Sequence, residues 1–129
     1  MPSCVIDTSA VFIDLQDERG AEEARKWLRD AAISSVNLHE IVAKAVEKGA
    51  SPEQAKALVE KLRLSVHAHE ADDAIEAGLL RVATKRHGLG LGDRACLALA
   101  RKLNLPAVTG DKAWSEIADD LSVKVVLVR

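Results

Sequence analysis

Cys4-Val5-Ile6-Asp7-Thr8-Ser9-Ala10 is the stretch that decides the fold. The apolar run before Asp7 is too short for a helix but long enough for a buried strand, and Thr8 and Ser9 are residues that cap helix starts. Asp7 therefore marks a strand that ends on a carboxylate and turns at once into a helix. In an open parallel α/β sheet this edge is where ligands bind, because strand ends and helix N-termini converge there around a crevice. A carboxylate so placed, with no basic neighbour in sequence, needs a partner to stay ionised. Near the other end of the chain, Pro106-Ala107-Val108-Thr109-Gly110-Asp111 repeats the arrangement, with a helix carrying Trp114, Ile117, Ala118 and Leu121 behind it.

The 129 residues read as one domain, residues 1–129, large enough to bury a core without staples. Hydrophobic residues make up 48% and aromatics only 2%, so that core must be aliphatic, as suits buried parallel strands flanked by Ala- and Leu-rich helices. A net charge of −2 excludes a globally basic nucleic-acid binder. A nucleic-acid ligand would have to be held locally or through metal ions. Cys4 and Cys96 fall on a core strand and on a helix's apolar stripe, the usual places for reduced, inert thiols. There is no charged-then-apolar leader pattern and no apolar run near the roughly 20 residues of a membrane span. The reading is a cytoplasmic protein without membrane association.

Between the two Asp-bearing turns the chain alternates. A short helix spans Ala10 to Leu15, and a second runs from Ala21 to about Ala31 with Ala24, Trp27, Leu28 and Ala31 inward. Ala32-Ile33-Ser34 is a strand, and Ser34 or Ser35 caps a helix whose stripe is Leu38, Ile41, Val42, Ala45 and Val46, ending at Gly49. Glu40 lies off that stripe with Asn37 and Lys44, and its segment alone reads it as a solvated helix residue. Ser51-Pro52-Glu53 opens another helix, with Ala55, Leu58, Val59 and Leu62 inward. Ser65 to Ala68 is a strand with His67 and His69 on one face, too few ligands for a zinc site. These two and His39 and His87 receive no role. A long helix from Glu70 to His87 is predicted to turn Ala71, Ala74, Ile75, Gly78, Leu79, Val82 and Ala83 inward. Its basic end, Arg81, Lys85, Arg86 and His87, suits the negative helix terminus and equally suits phosphates. The last strand, Val123 to Val128, is β-branched enough to be buried on both faces.

Gly88-Leu89-Gly90-Leu91-Gly92 leads into a helix but lacks the Lys-Ser/Thr of a phosphate-binding loop and follows a helix, not a strand. It reads as a turn that sets Asp93 at the start of the next helix, on the side of Cys96, Leu99, Ala100 and Leu103. Right-handed crossovers bring Asp7 and Asp111 to one sheet edge, and Asp93 joins them if its helix forms the crossover before the Pro106 strand. Carboxylates crowded in a poorly solvated cleft repel one another, and a divalent cation resolves the conflict. Oxygen ligands without His or Cys favour magnesium or manganese. The chemistry that follows is phosphodiester hydrolysis. Asp7 is the principal candidate ligand, Asp93 and Asp111 further ligands, and Glu40 a ligand or the base that orients water. Thr8 and Thr109 support them by hydroxyl hydrogen bonds, and Arg94 and Lys112, with Lys85 and Arg86, are candidate phosphate contacts.

Four blocks, Val5-Ile6-Asp7-Thr8-Ser9-Ala10, Asn37-Leu38-His39-Glu40, Leu91-Gly92-Asp93-Arg94-Ala95-Cys96-Leu97-Ala98-Leu99-Ala100 and Val108-Thr109-Gly110-Asp111-Lys112-Ala113-Trp114, resemble the signature of PIN-domain ribonucleases. In particular the chain resembles the VapC-type toxins of toxin–antitoxin pairs. The resemblance implies a PIN-like, Rossmann-like α/β fold of three layers, with a five-stranded parallel sheet flanked by helices. It implies a magnesium- or manganese-dependent endoribonuclease, a homodimer, and inhibition by a small cognate antitoxin. It also moves Glu40 from the solvated face into the site. The rival readings are a magnesium-dependent phosphatase or phosphotransferase with Asp7 as nucleophile, which commonly wants an acid where Ser9 stands, and a catalytically silent PIN-like module that binds a partner.

Overall fold

The computed structural model describes all 129 residues. The elements follow in the order β1 (Cys4–Ile6), α1 (Thr8–Leu15), α2 (Ala21–Leu28), β2 (Ala31–Ser34), α3 (Ser35–Glu47), α4 (Pro52–Leu62), β3 (Ser65–His67), α5 (Ala71–Leu79), α6 (Arg81–Thr84), a 3-10 turn at Lys85–His87, α7 (Leu91–Leu103), β4 (Ala107–Thr109), α8 (Trp114–Leu121) and β5 (Val125–Leu127). The five strands form one sheet in the order β3-β2-β1-β4-β5, every pair parallel. No helix is long and apolar enough to cross a membrane.

Strand side chains alternate between two cores, as the pleat demands. Val5, Ala32 and Ala107 face a cluster with Ala77, Leu80, Cys96, Leu97, Trp114 and Ile117 from α5, α7, α8 and the residue after α5. Cys4, Ile6, Ile33 and Val108 face the opposite cluster with Val11, Ile13, Ala24, Leu28 and Ile41 from α1, α2 and α3. This is the three-layer α/β/α arrangement. The connections leave β1 in one direction across the sheet and β4 in the other, so the topological switch point lies between these two strands, β1 followed directly by Asp7 and β4 by Gly110 and Asp111.

Several elements differ from the sequence reading, each for a local reason. α1 begins at Thr8, with Asp7 in the N-cap position and Thr8 and Ser9 already in the first turn. α2 stops at Leu28 because Ala31 is taken by β2, and Trp27 is half-buried where a core anchor was expected. Trp114 is the fully buried tryptophan. On α3 the inward residues are Asn37, Ile41 and Ala45; Leu38 and Val42 are half-buried and Val46 is exposed, so the buried face is rotated toward Asn37. Ser34 caps this helix by accepting the Val36 N–H at 3.2 Å. The predicted helix from Glu70 to His87 is three pieces, and its phase is reversed: Ala77, Leu80 and Thr84 are buried while Ile75, Leu79 and Val82 face out. β5 is an edge strand of three half-buried residues, not a strand covered on both faces.

Candidate active site

β1 delivers Asp7 to the sheet's carboxyl edge, where its N–H pairs with the Val108 carbonyl of β4 at 2.9 Å. Asp7 is 3% exposed. Its Oδ2 accepts two hydroxyl hydrogen bonds, from Ser9 at 2.6 Å and Thr109 at 2.8 Å. Burial pushes Asp7 up to about 6, against the pull of those two hydroxyls, and the charges of Asp93 and Glu40 add to the rise. No lysine, arginine or histidine forms an ion pair with it.

Glu40 comes from the middle of α3. Its Oε1 accepts from Thr8 Oγ1 and from Asn37 Nδ2, both at 2.9 Å. Asn37, fully buried, gives its second amide hydrogen to the Gly92 carbonyl at 2.9 Å, which ties α3 to α7, and its Oδ1 is buried with no donor beside it. Gly92 is a requirement of this contact, since a Cβ there would overlap the Glu40 carboxylate.

Asp93 stands in the first turn of α7, where its Oδ2 accepts the Gly90 N–H at 2.8 Å. The glycine-rich stretch thus acts as the turn that positions Asp93. Burial raises the pKa of Asp93, the Gly90 bond opposes it, and the charges of Asp111 and Glu40 raise it further. Behind the cleft, Cys96 is fully buried, and burial together with Asp7 and Asp93 lifts its thiol well above the ordinary range. It stays protonated and chemically quiet.

Asp7, Glu40 and Asp93 line one cleft of about 420 Å³ together with Thr8, Ser9, Ala43, Lys44 and Glu47. Asp111 is not part of this lining. It is exposed at the turn before α8, its Oδ1 accepting the Ala113 N–H at 3.0 Å, and it reaches the group through its charge on Asp93. Nor do the acids close on one point, since no three acidic, histidine or cysteine side chains converge as a ready ligand shell. All four carboxylates nevertheless share one feature. Each is held through a single oxygen, Oδ2 of Asp7 and Asp93, Oε1 of Glu40 and Oδ1 of Asp111, and the second oxygen of each takes no hydrogen bond from the protein.

Three residues of this site lay outside the roles assigned from sequence. Ser9, expected to cap a helix, donates to Asp7 and accepts the Gly110 N–H at 2.9 Å. Asn37 is the buried brace of Glu40, and its signal was the three-residue spacing that stacks it under Glu40 on one helix face. Lys44, one turn beyond Glu40, is the cation of the cleft wall, with Nζ 4.6 Å from the centroid of the Phe12 ring. Among the expected phosphate contacts, Arg94 is half-buried with Nη1 bound to the Leu89 carbonyl at 2.8 Å. Lys112 is exposed beside Asp111, and Lys85 and Arg86 are exposed on the 3-10 turn, none of them in the cleft wall.

The chain is similar in fold to a toxin–antitoxin complex from Klebsiella pneumoniae, at 23% identity and TM-score 0.74 over 98% of each chain. It is similar to DNA-bound VapBC from Salmonella typhimurium, at 25% identity and TM-score 0.74 over 100% of each chain. A third similar structure is VapBC-1 from nontypeable Haemophilus influenzae, at 21% identity and TM-score 0.69 over 97% of each chain. No curated protein sequence matches. The PIN domain profile matches residues 4–120, nearly the whole of the sheet and every acid of the cleft, and the chain belongs to the PIN-domain family.

Proposed function

We propose that the cleft is the centre of a divalent-metal-dependent endoribonuclease that hydrolyses RNA phosphodiester bonds, and that the chain is the VapC-type toxin of a toxin–antitoxin pair. The observation that carries this reading is the set of carboxylates held by one oxygen and open at the other, around an aspartate buried without a counter-charge. A buried anion of this kind is costly alone and favourable beside a cation. The donors are all oxygen, which fits magnesium or manganese. Asp7, Asp93 and Asp111 would hold the metal, and Glu40 would hold it too or take the proton from the attacking water. When bound, such a metal lowers the pKa of its water and offsets charge on phosphate oxygens.

The chain's own residues do the rest. Ser9 and Thr109 fix the rotamer of Asp7, and Asn37 and Thr8 fix that of Glu40, so the free oxygens are oriented before substrate arrives. Lys44 in the cleft wall supplies positive charge for the RNA backbone, where the carboxylates alone would repel it, and Lys112, exposed beside Asp111, would add to it. The similar structures, named as toxin–antitoxin complexes, support a cognate antitoxin as partner; the homodimeric state and action on RNA in the cytoplasm we take from the resemblance of the four acid-bearing blocks. The phosphotransferase alternative has less support, because Ser9 stands where a second acid would be and its hydroxyl is engaged with Asp7.

The test is cleavage of total RNA by the purified chain in magnesium, in manganese and in excess EDTA, with the cut ends sequenced. Cleavage that needs metal and is lost in Asp7→Asn is expected. Undiminished cleavage in EDTA, or by Asp7→Asn, would overturn the mechanism.

A further inference from the structure

Of the four acids, Asp111 alone stands on a turn after a glycine, and that glycine is forced. A Cβ at Gly110 would overlap Ile13 of α1, so no larger residue fits where β4 runs out against that helix. Glycine has the freest backbone of any residue, which leaves the peptide between Gly110 and Asp111 inclined to turn over. That peptide is held at both ends. Its N–H, on Asp111, donates to Thr109 Oγ1 at 3.1 Å. Its carbonyl, on Gly110, accepts from Arg129 Nε at 3.3 Å.

Arg129 reaches the turn from a fixed base. The Val128 N–H donates to the Thr109 carbonyl at 3.1 Å, which carries the pairing with β4 one residue past β5. The Val128 carbonyl lies against Gly20, where φ is 97° and a Cβ would overlap the carbonyl oxygen. The loop between α1 and α2 thereby closes over the end of β5. Glu18 of the same loop accepts from Arg129 Nη1 at 2.9 Å. Both side chains of this pair are 40% exposed, so it adds little to stability. Its effect is to orient the planar guanidinium, with Nη1 turned to Glu18 and Nε to Gly110.

We propose that Arg129 is a positioning residue for Asp111: its guanidinium, set by Glu18, clamps the Gly110 carbonyl and fixes the peptide from which Asp111 presents its carboxylate to the metal. The proposal rests on the reading of Asp111 as a metal ligand and deepens it. Asp111 is exposed, and its own bond, to the Ala113 N–H, ties it only to the turn it stands on. That turn needs anchors outside itself. Ser9 anchors it to α1 through the Gly110 N–H, and Arg129 anchors it to the end of β5.

Amide hydrogen exchange by NMR reads the turn without metal, and manganese titration followed by electron paramagnetic resonance reads the site without RNA. Both use the full chain, with circular dichroism to check each fold. In Arg129→Ala the Gly110 and Asp111 amides should exchange about tenfold faster while those of β1 are unchanged, and manganese affinity should fall about tenfold. Arg129→Lys keeps the charge but not the planar fork, and should recover only part of both. Glu18→Gln should reproduce both effects in weaker form. Adding Arg129→Ala to Asp111→Asn should cost no further manganese affinity, because the clamp acts through Asp111. Unchanged exchange in Arg129→Ala overturns the clamp. Full recovery by Arg129→Lys, or a loss that adds in full to that of Asp111→Asn, also overturns it, since Arg129 would then act as a charge on its own. Asp111→Asn that binds manganese as wild type does, or wild type that binds none, overturns the ligand reading of Asp111 and the metal role of the clamp with it. Exchange tells the two failures apart: in Arg129→Ala it is still fast if the reading alone is wrong, and unchanged if the clamp is.

Discussion

Thr109 donates its hydroxyl to Oδ2 of Asp7 at 2.8 Å across 102 positions of sequence. The same hydroxyl oxygen accepts the Asp111 N–H at 3.1 Å. Ser9 repeats the relay, donating to the same Oδ2 and accepting the Gly110 N–H. Two backbone amides of the turn after β4 therefore polarise two hydroxyls toward one carboxylate oxygen, and linked hydrogen bonds strengthen one another. The turn that carries Asp111 is registered on Asp7 by this relay.

Thr109→Val keeps the side-chain shape, removes the donor to Asp7 and strips the Asp111 N–H of its acceptor. A hydrogen bond to a charged group contributes roughly 1.5–3 kcal/mol, so stability at pH 7 should fall by about that much, and RNA cleavage by at least about tenfold. Thr109→Ser should retain most of both. Urea melts and initial cleavage rates read the two effects. If Thr109→Val matches wild type in both, the relay plays no part.

Asp7 also sets a pH dependence whose sign is fixed by its raised pKa. The folded chain holds the Asp7 proton up to about 6, whereas an unfolded aspartate releases it near roughly 3.9. The native state therefore binds the proton more tightly. Its contribution to stability is fully present below the unfolded value and is lost as pH rises through 6. In EDTA, Asp7→Asn should gain on wild type by about 1 kcal/mol between pH 5 and pH 7, a few degrees in melting temperature. Parallel melting curves for the two proteins across that range would show that Asp7 does not titrate there.

How much of this was legible in the sequence depended on how each residue is held. Val5-Ile6-Asp7 and Val108-Thr109-Gly110-Asp111 were readable because a short apolar run ending on a carboxylate has one good home, a strand end at the ligand edge. The buried face of α3 was not, because Asn37 buries through two hydrogen bonds, to Glu40 and to Gly92, that hydropathy cannot register. The segment from Glu70 to His87 misled for a different reason. It carries two apolar stripes, and periodicity finds a stripe without saying which core it faces. The change at Leu80 and the tightening into a 3-10 turn at Lys85 also break it where composition suggested continuity. Ser9 was read as a helix cap, and only the approach of β4 beside β1 gives it Asp7 and Gly110 as partners.

Magnesium separates the ligand role of Asp7 from a purely structural one. A ligand that binds only the native state stabilises it by about 2.7 kcal/mol at 100 times its dissociation constant. Wild type should therefore melt several degrees higher with saturating magnesium than in EDTA, and Asp7→Asn should shift much less. Differential scanning calorimetry at fixed ionic strength reads the shift. Equal shifts in both proteins would place the metal away from Asp7.

Gly92→Ala tests whether Glu40 must sit where it does. A Cβ at position 92 would overlap the Glu40 carboxylate, which lies at the end of an exposed, flexible side chain and can swing away. Moving it breaks its bonds with Thr8 and Asn37 but disturbs no packed core. Alanine also favours a helical position over glycine, though by less in the first turn of α7, where Gly92 stands, than the roughly 1 kcal/mol of a helix interior. Stability and activity should therefore part: melting temperature unchanged or slightly higher, cleavage lower by about tenfold or more, and the loss similar to that in Glu40→Gln. A Gly92→Ala variant that cleaves RNA at the wild-type rate would mean that Glu40 acts, if at all, from some other position.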